Sequence, residues 1–176
     1  MSLIWLRIKG LKGSLMERAL ANTALAYSYG WWRNVVTMIK RFGIPYDWDE
    51  GFLKDARDFG AKEARGLINA AIIRGKGVKA VIKALKYSHW GLLEKVEVKR
   101  LSNSLVRFRV FDCSARRALE KWGLPNYSCK NFTLEALQGF VGVIEPEASV
   151  ECVFCSPERP PERGNASCEW LIRLPC

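Results

Sequence analysis

The sequence predicts an α+β fold, with N-terminal helices packed on an antiparallel sheet and a cysteine-bearing hairpin at the C-terminal end. Three observations predict it. Apolar residues recur every three or four positions through the first half of the chain. The period drops to two over Lys95–Lys99 and Leu105–Phe111. Two further strand-like stretches, 149–154 and 169–174, flank a charged, proline-rich loop. With 176 residues and 49% hydrophobic content, the chain is read as one domain spanning 1–176, helical over 13–90 and sheet-forming over 93–176.

The first helix is expected over residues 13–42. Leu20, Ala24, Tyr27, Trp31, Val35, Met38 and Phe42 line one of its faces, and Gly43 and Pro45 end it. The run from Tyr46 to Gly51, containing Asp47, Asp49 and Glu50, reads as a turn and an acidic helix start. A second helix follows from Phe52 to Ile73, with Ala56, Phe59, Glu63 or Ala64, Leu67 and Ala71 inward. Gly75-Lys76-Gly77 breaks it, and a shorter helix over Val78–Tyr87 buries Val81, Ile82 and Leu85.

Ser102-Asn103-Ser104 supplies the turn of the first hairpin, whose outer face is wet and basic. Cys113–Trp122 reads as a short helix closed by Gly123-Leu124-Pro125. Thr133 is placed to cap a helix running to Phe140 or Val141. The strands Ser149–Phe154 and Glu169–Leu174 are expected to pair antiparallel.

From Lys54 to Lys121 there are 17 basic residues against 7 acidic ones, and the remainder of the chain balances. Such a basic middle attracts nucleic acid, anionic lipid or an anionic small molecule, or simply solvates a helix face. Arg107 and Arg109 alternate on one strand, but no aromatic–basic RNA motif accompanies them, so a nucleic-acid partner is not favoured. No apolar run approaches the ~18 residues of a membrane span. The stretch Met1–Arg7 lacks the pattern of an export leader, and a cytoplasmic location is expected.

Six cysteines accompany a single histidine. Cysteines clustered in sequence point to metal or redox chemistry in a reducing compartment. Cys152-x-x-Cys155 and Cys168 offer three soft ligands, and Cys129, just before a helix, is the best fourth for a closed zinc site. Cys113 and Cys176 stand in reserve. A disulfide and free core thiols are the alternatives. Lys130, Arg159 and Arg163 are placed to moderate the charge of four thiolates. In a flat strand residues 152 and 155 point to opposite faces. Both reach one metal if the strand ends or turns near Phe154, which Ser156-Pro157 favours. A closed thiolate site holds structure and leaves no position for activating water.

Val110-Phe111-Asp112-Cys113, Tyr127-Ser128-Cys129 before a helix containing Leu137, Gly139, Val141 and Ile144, then Val150, Cys152 and Cys155, then Ala166, Cys168, Trp170 and Ile172 form a wider pattern. It resembles the four-vinyl-reductase-type, or hydrocarbon-binding, small-molecule domain, whose relatives include a thiazoline-carboxylate hydrolase-like branch. The resemblance extends over about residues 15–174, with its motifs in 105–174. It implies a buried apolar pocket beside zinc, a homodimer, and binding or sensing of an apolar or aromatic molecule. The metal ligands it implies are Cys129, Cys155 and Cys168, with Cys152 favoured as the fourth because thiolate suits zinc in a sulfur-rich site. Cys152 stands where the family carries a glutamate, so Glu151 is the competing ligand. Tyr27, Trp31, Trp32, His89, Trp90 and Phe108 are the residues expected to meet the ligand.

A hydrolase of the related branch is the alternative. It would need an open metal position or a nucleophile beside His89, the sole histidine, and Ser88 is badly placed for that. No GxSxG, HExxH or glycine-rich phosphate loop is present. No catalytic residue is assigned.

Overall fold

The structure is a computed structural model that describes residues 15–43, 49–158 and 160–175. The leader reading of Met1–Arg7, Pro45, Asp47, Arg159 and Cys176 fall outside the described residues, as does the side chain of Arg163.

The expected α+β architecture is present. Helix α1 (Leu15–Phe42) is followed by α2 (Glu50–Asn69), α3 (Gly77–Tyr87) and a short α4 (His89–Leu93). Strands β1 (Lys95–Arg100) and β2 (Leu105–Asp112) form the first hairpin. Helices α5 (Ser114–Lys121) and α6 (Lys130–Ile144) then lead into β3 (Ser149–Cys155) and β4 (Cys168–Arg173), with a 3-10 turn at Pro161–Arg163 between them. The four strands make one antiparallel sheet in the order β1-β2-β4-β3, so the two hairpins are welded through β2 and β4.

Alternation decides the two faces of that sheet. Val106, Phe108 and Val110 of β2 pair with Ile172, Trp170 and Cys168 of β4, and all six are buried in the core. Val81, Ala84 and Leu85 of α3 and Ala136, Leu137, Phe140 and Val141 of α6 belong to the same cluster. The opposite face is ionic. Arg107 pairs with Glu97 at 3.0 Å and Arg109 with Glu169 at 2.5 Å. The strand face read as wet and basic is thus largely neutralised, and Arg107 and Arg109 are committed to carboxylates.

Helices α2 and α6 cross with their backbones almost touching. A Cβ on Gly60 would stand 1.9 Å from the carbonyl oxygen of Ala136, and one on Gly139 would stand 2.0 Å from that of Arg57. Ala56, Ala61 and Ala64 keep the rest of this seam small. Arg57 also reaches Glu135 across it at 2.6 Å.

Several boundaries differ from expectation. Asp49 caps α2, its Oδ1 accepting from the Gly51 amide at 2.9 Å. The helix stops at Asn69 because Ala71 adopts a left-handed φ of 56°, and the amides of Ile72 and Ile73 turn back to the Leu67 carbonyl. Phe59 is exposed rather than inward. Helix α6 begins at Lys130, so Cys129 and not Thr133 occupies the cap position. The stripe on α1 departs furthest. Val35 is buried, but Leu20, Tyr27, Trp31, Met38 and Phe42 face outward, Tyr27 at 77% exposure. The helix packs through a second stripe instead: Val36 is buried, Trp32 half-buried, and Tyr29 meets Trp122 edge-on at 5.5 Å.

The buried carboxylate of Glu94 ties β1 to α5. It accepts from the Ser114 amide at 2.8 Å and from the Ser114 hydroxyl at 2.5 Å. Burial holds its pKa above the usual 4.5, against the lowering pull of Ser114 and of the charges on Arg117 and His89. Between pH 4.5 and that raised value, the folded chain binds a proton that the unfolded chain has released. This group's contribution therefore grows as pH falls through the window and is lost as pH rises through the raised pKa. Glu94→Gln keeps an acceptor for the amide and a partner for the hydroxyl but cannot titrate. Urea melts between about pH 4.5 and 7 should show a shallower loss of stability with rising pH in the variant. Parallel curves for the two proteins would contradict this role.

Candidate functional site

Three separate segments bring sulfur to one corner of the fold. Cys129 precedes α6, Cys152 and Cys155 lie on β3, and Cys168 opens β4. The Cys155 thiol lies beside the thiols of Cys129 and Cys168. Cys152 lies within electrostatic reach of Cys129 and Cys155. The Trp170 indole N–H donates to the Cys168 sulfur at 3.1 Å.

A bulge solves the facing problem posed by the Cys152-x-x-Cys155 spacing. Cys152 pairs with Trp170 and Cys155 pairs with Cys168, two residues apart on β4, while three residues separate the cysteines on β3. The extra residue, Val153, shifts the register, so both thiols take the same face of the sheet. The strand does not end at Phe154. It runs through Cys155 and turns at the cis Ser156–Pro157 bond.

The sulfur corner is short of positive charge. The contact with Cys129 pulls the Cys155 thiol down, but the contact with Cys168, burial, and the Cys168 and Cys152 sulfurs outweigh it and raise its pKa well above the thiol range. Burial pushes Cys152 up to about 11, with Lys130 opposing and Cys129 and Glu158 adding to the rise. Cys113 is raised by burial, by Glu94 and by Cys129, which makes it a fifth thiol beside the group. All five described cysteines are free thiols, so the disulfide alternative is not formed among them. Among the described residues no group of three or more His, Cys, Asp or Glu side chains is placed so that it could hold a metal ion. The donor chemistry nevertheless suits zinc. Glu151 is turned to the ionic face, where it meets Arg173 at 3.2 Å.

Cys129 also belongs to a second feature. Trp31, Trp32 and Val35 of α1, Phe52 of α2, Tyr127, and Phe132 of α6 surround it in an aromatic slot. Phe132 stacks on Phe52 at 5.5 Å and meets Trp32 edge-on at 6.4 Å. The slot is narrow, with about 10 Å³ of room, and it is partly open to solvent at Trp31. Of the residues expected to meet a ligand, Trp31 and Trp32 come together here. Tyr27 sits a turn away on the open surface of α1. Trp90 and Phe108 pack edge-on at 6.2 Å inside the main core. His89 is tied up by Glu63, whose Oε1 accepts from the His89 amide at 2.6 Å and whose Oε2 lies 2.8 Å from Nδ1. That carboxylate holds the first amide of α4 and fixes the ring, while the Ser88 hydroxyl caps the helix by accepting from the Gly91 amide at 3.4 Å and donates to the Leu85 carbonyl at 2.8 Å. Sequence reasoning missed Phe52, Tyr127 and Phe132. Phe132 follows Cys129 by three residues, the spacing that shares a helix face.

A family model matches residues 15–174 and describes a family of unknown function, DUF6125. The chain belongs to that family. No curated protein matches it. Among solved structures, it is similar to trafficking protein particle complex subunit 3 from Naegleria fowleri, crystallised covalently bound to palmitic acid. The likeness has a TM-score of 0.55 at 12% identity and covers 88% of this chain and 96% of that one. At that identity it shows a shared α+β fold.

Proposed function

We propose that the chain binds a fatty acyl chain or a similarly apolar aromatic molecule between α1, α2 and α6. The observation that carries this reading is the aromatic slot at Trp31, Trp32, Phe52 and Phe132, in a fold whose solved neighbour holds palmitic acid. The slot is too narrow for an acyl chain as it stands, so entry requires α1 to swing outward. On this reading the family is a distant relative of the four-vinyl-reductase-type domains. Zinc held by Cys129, Cys152, Cys155 and Cys168 would fix one wall of the slot, because Cys129 serves both. Such thiols stay reduced in a cytoplasmic setting.

Displacement of a fluorescent polyene fatty acid by palmitate tests the reading. Phe132→Asp, which places a charge in the slot, should weaken uptake at least tenfold while circular dichroism stays unchanged. Equal binding by parent and variant would remove the slot as the site.

The outer stripe of α1 supports the homodimer. Residues 19–32 carry no charge, and Leu20, Tyr27 and Trp31 stand exposed at helical spacing. The parent is expected to elute at twice its 20.0 kDa mass. The double variant Tyr27→Glu, Trp31→Glu should elute as a monomer by light scattering. A monomeric parent would contradict the pairing.

A further inference from the structure

Between Glu63 and Glu94 the chain contains no carboxylate side chain, yet it carries six lysines and arginines. Four of them, Lys76, Lys79, Lys83 and Lys86, follow α3 at intervals of three and four residues. That spacing sets them along one face, over a length of about 15 Å. All four are exposed, and among the described residues no carboxylate pairs with any of them.

Local helix rules oppose this placement. Lys76 occupies the cap position without a side-chain cap bond, and the first turn of α3 holds no acid. Positive side chains therefore stand at the positive end of the helix dipole, where acids are favoured. One acid from another element does reach that end, the Gly77 amide donating to Glu145 Oε1 at 3.3 Å, but this carboxylate is spent on the helix start and pairs with none of the four lysines. A sequence that accepts this arrangement is keeping a strong positive field for something outside the fold. The sheet's arginines do not provide such a field, because Arg107 and Arg109 are spent on Glu97 and Glu169.

We infer that the lysine face of α3 docks on an anionic lipid bilayer. Charge complementarity names the anionic partner, and the flanking side chains favour lipid over nucleic acid. Tyr87 lies one turn beyond Lys83 and is 47% exposed, and Leu92 on α4 is 64% exposed. An aromatic and an aliphatic side chain beside lysines suit the interface between headgroups and acyl chains. The stripe has no arginine forks of the kind that read base edges. The inference stands whether or not the aromatic slot takes a ligand.

Sedimentation of the full chain with phosphatidylcholine vesicles, with and without about 30% phosphatidylserine, tests it. Binding is expected only to the anionic vesicles and should fall steeply as salt rises. Each lysine near such a surface is worth about fivefold in binding, so Lys79→Gln, Lys83→Gln, Lys86→Gln together should weaken it ~100-fold. Lys54→Gln, Lys62→Gln, Lys121→Gln together alter the net charge equally and should stay within a few-fold of the parent. Four results would overturn the inference: no binding to anionic vesicles, equal binding to neutral ones, equal losses in the two triple variants, or tighter binding of a short RNA through the same three lysines.

Discussion

Gly139→Ala is expected to lower stability by about 3 kcal/mol or more, and Gly60→Ala by a similar amount. In each case the new methyl group would meet a backbone carbonyl at about half the normal contact distance, 2.0 Å from Arg57 and 1.9 Å from Ala136. No side-chain rotation relieves such a clash, so α2 and α6 must separate. That separation breaks the seam packing the helices over the sheet and strains the Arg57–Glu135 pair. Two other glycines in the same helices supply the control. Gly66 and Gly142 have nothing within 4 Å of a built Cβ. Alanine there should be neutral or stabilising by up to ~1 kcal/mol, since glycine is the poorer helix former. Thermal melts of the four variants decide it. For a domain of this size, 3 kcal/mol corresponds to a fall of roughly 6–12 °C. Four equal melting temperatures would mean that the helices do not cross as described.

Cys155→Ser is expected to produce the other large effect. Cys155 is buried and is the thiol in contact with both Cys129 and Cys168. On the zinc reading, serine in its place removes the central ligand and leaves an uncompensated cluster of sulfurs. Metal content by mass spectrometry should fall from about one zinc per chain to near zero. Stability should fall by several kcal/mol, because structural zinc contributes on the order of 10 kcal/mol in small modules. Cys113→Ser should leave the metal in place, as Cys113 lies beside Cys129 and outside the proposed ligand set. A parent protein that purifies without metal, or a Cys155→Ser variant that keeps a full complement, would contradict the zinc reading.

Much of the fold was legible in the chain. The change of period at Lys95 marked the first hairpin, and the residues flanking the proline-rich loop marked the second. The convergence of Cys129 with Cys155 and Cys168 was also legible, because a cysteine before a helix and two on a hairpin can reach one sheet end. The bulge at Val153 was not. It is a matter of register between β3 and β4, and no residue type near it demands a bulge. The direction of α1 was misread for a different reason. Two apolar stripes run along it, and periodicity alone does not say which one the rest of the chain covers. Trp90 and Phe108 illustrate a third limit. Aromatic residues suited to lining a pocket are equally suited to filling a core, and here they pack against each other and Phe140.

Native mass spectrometry of the intact chain mixed with palmitate tests the central claim most directly. The account predicts a single fatty-acid adduct on the parent, strongly reduced in Phe132→Asp. A parent that remains free of adducts across fatty acids and apolar aromatics would contradict it.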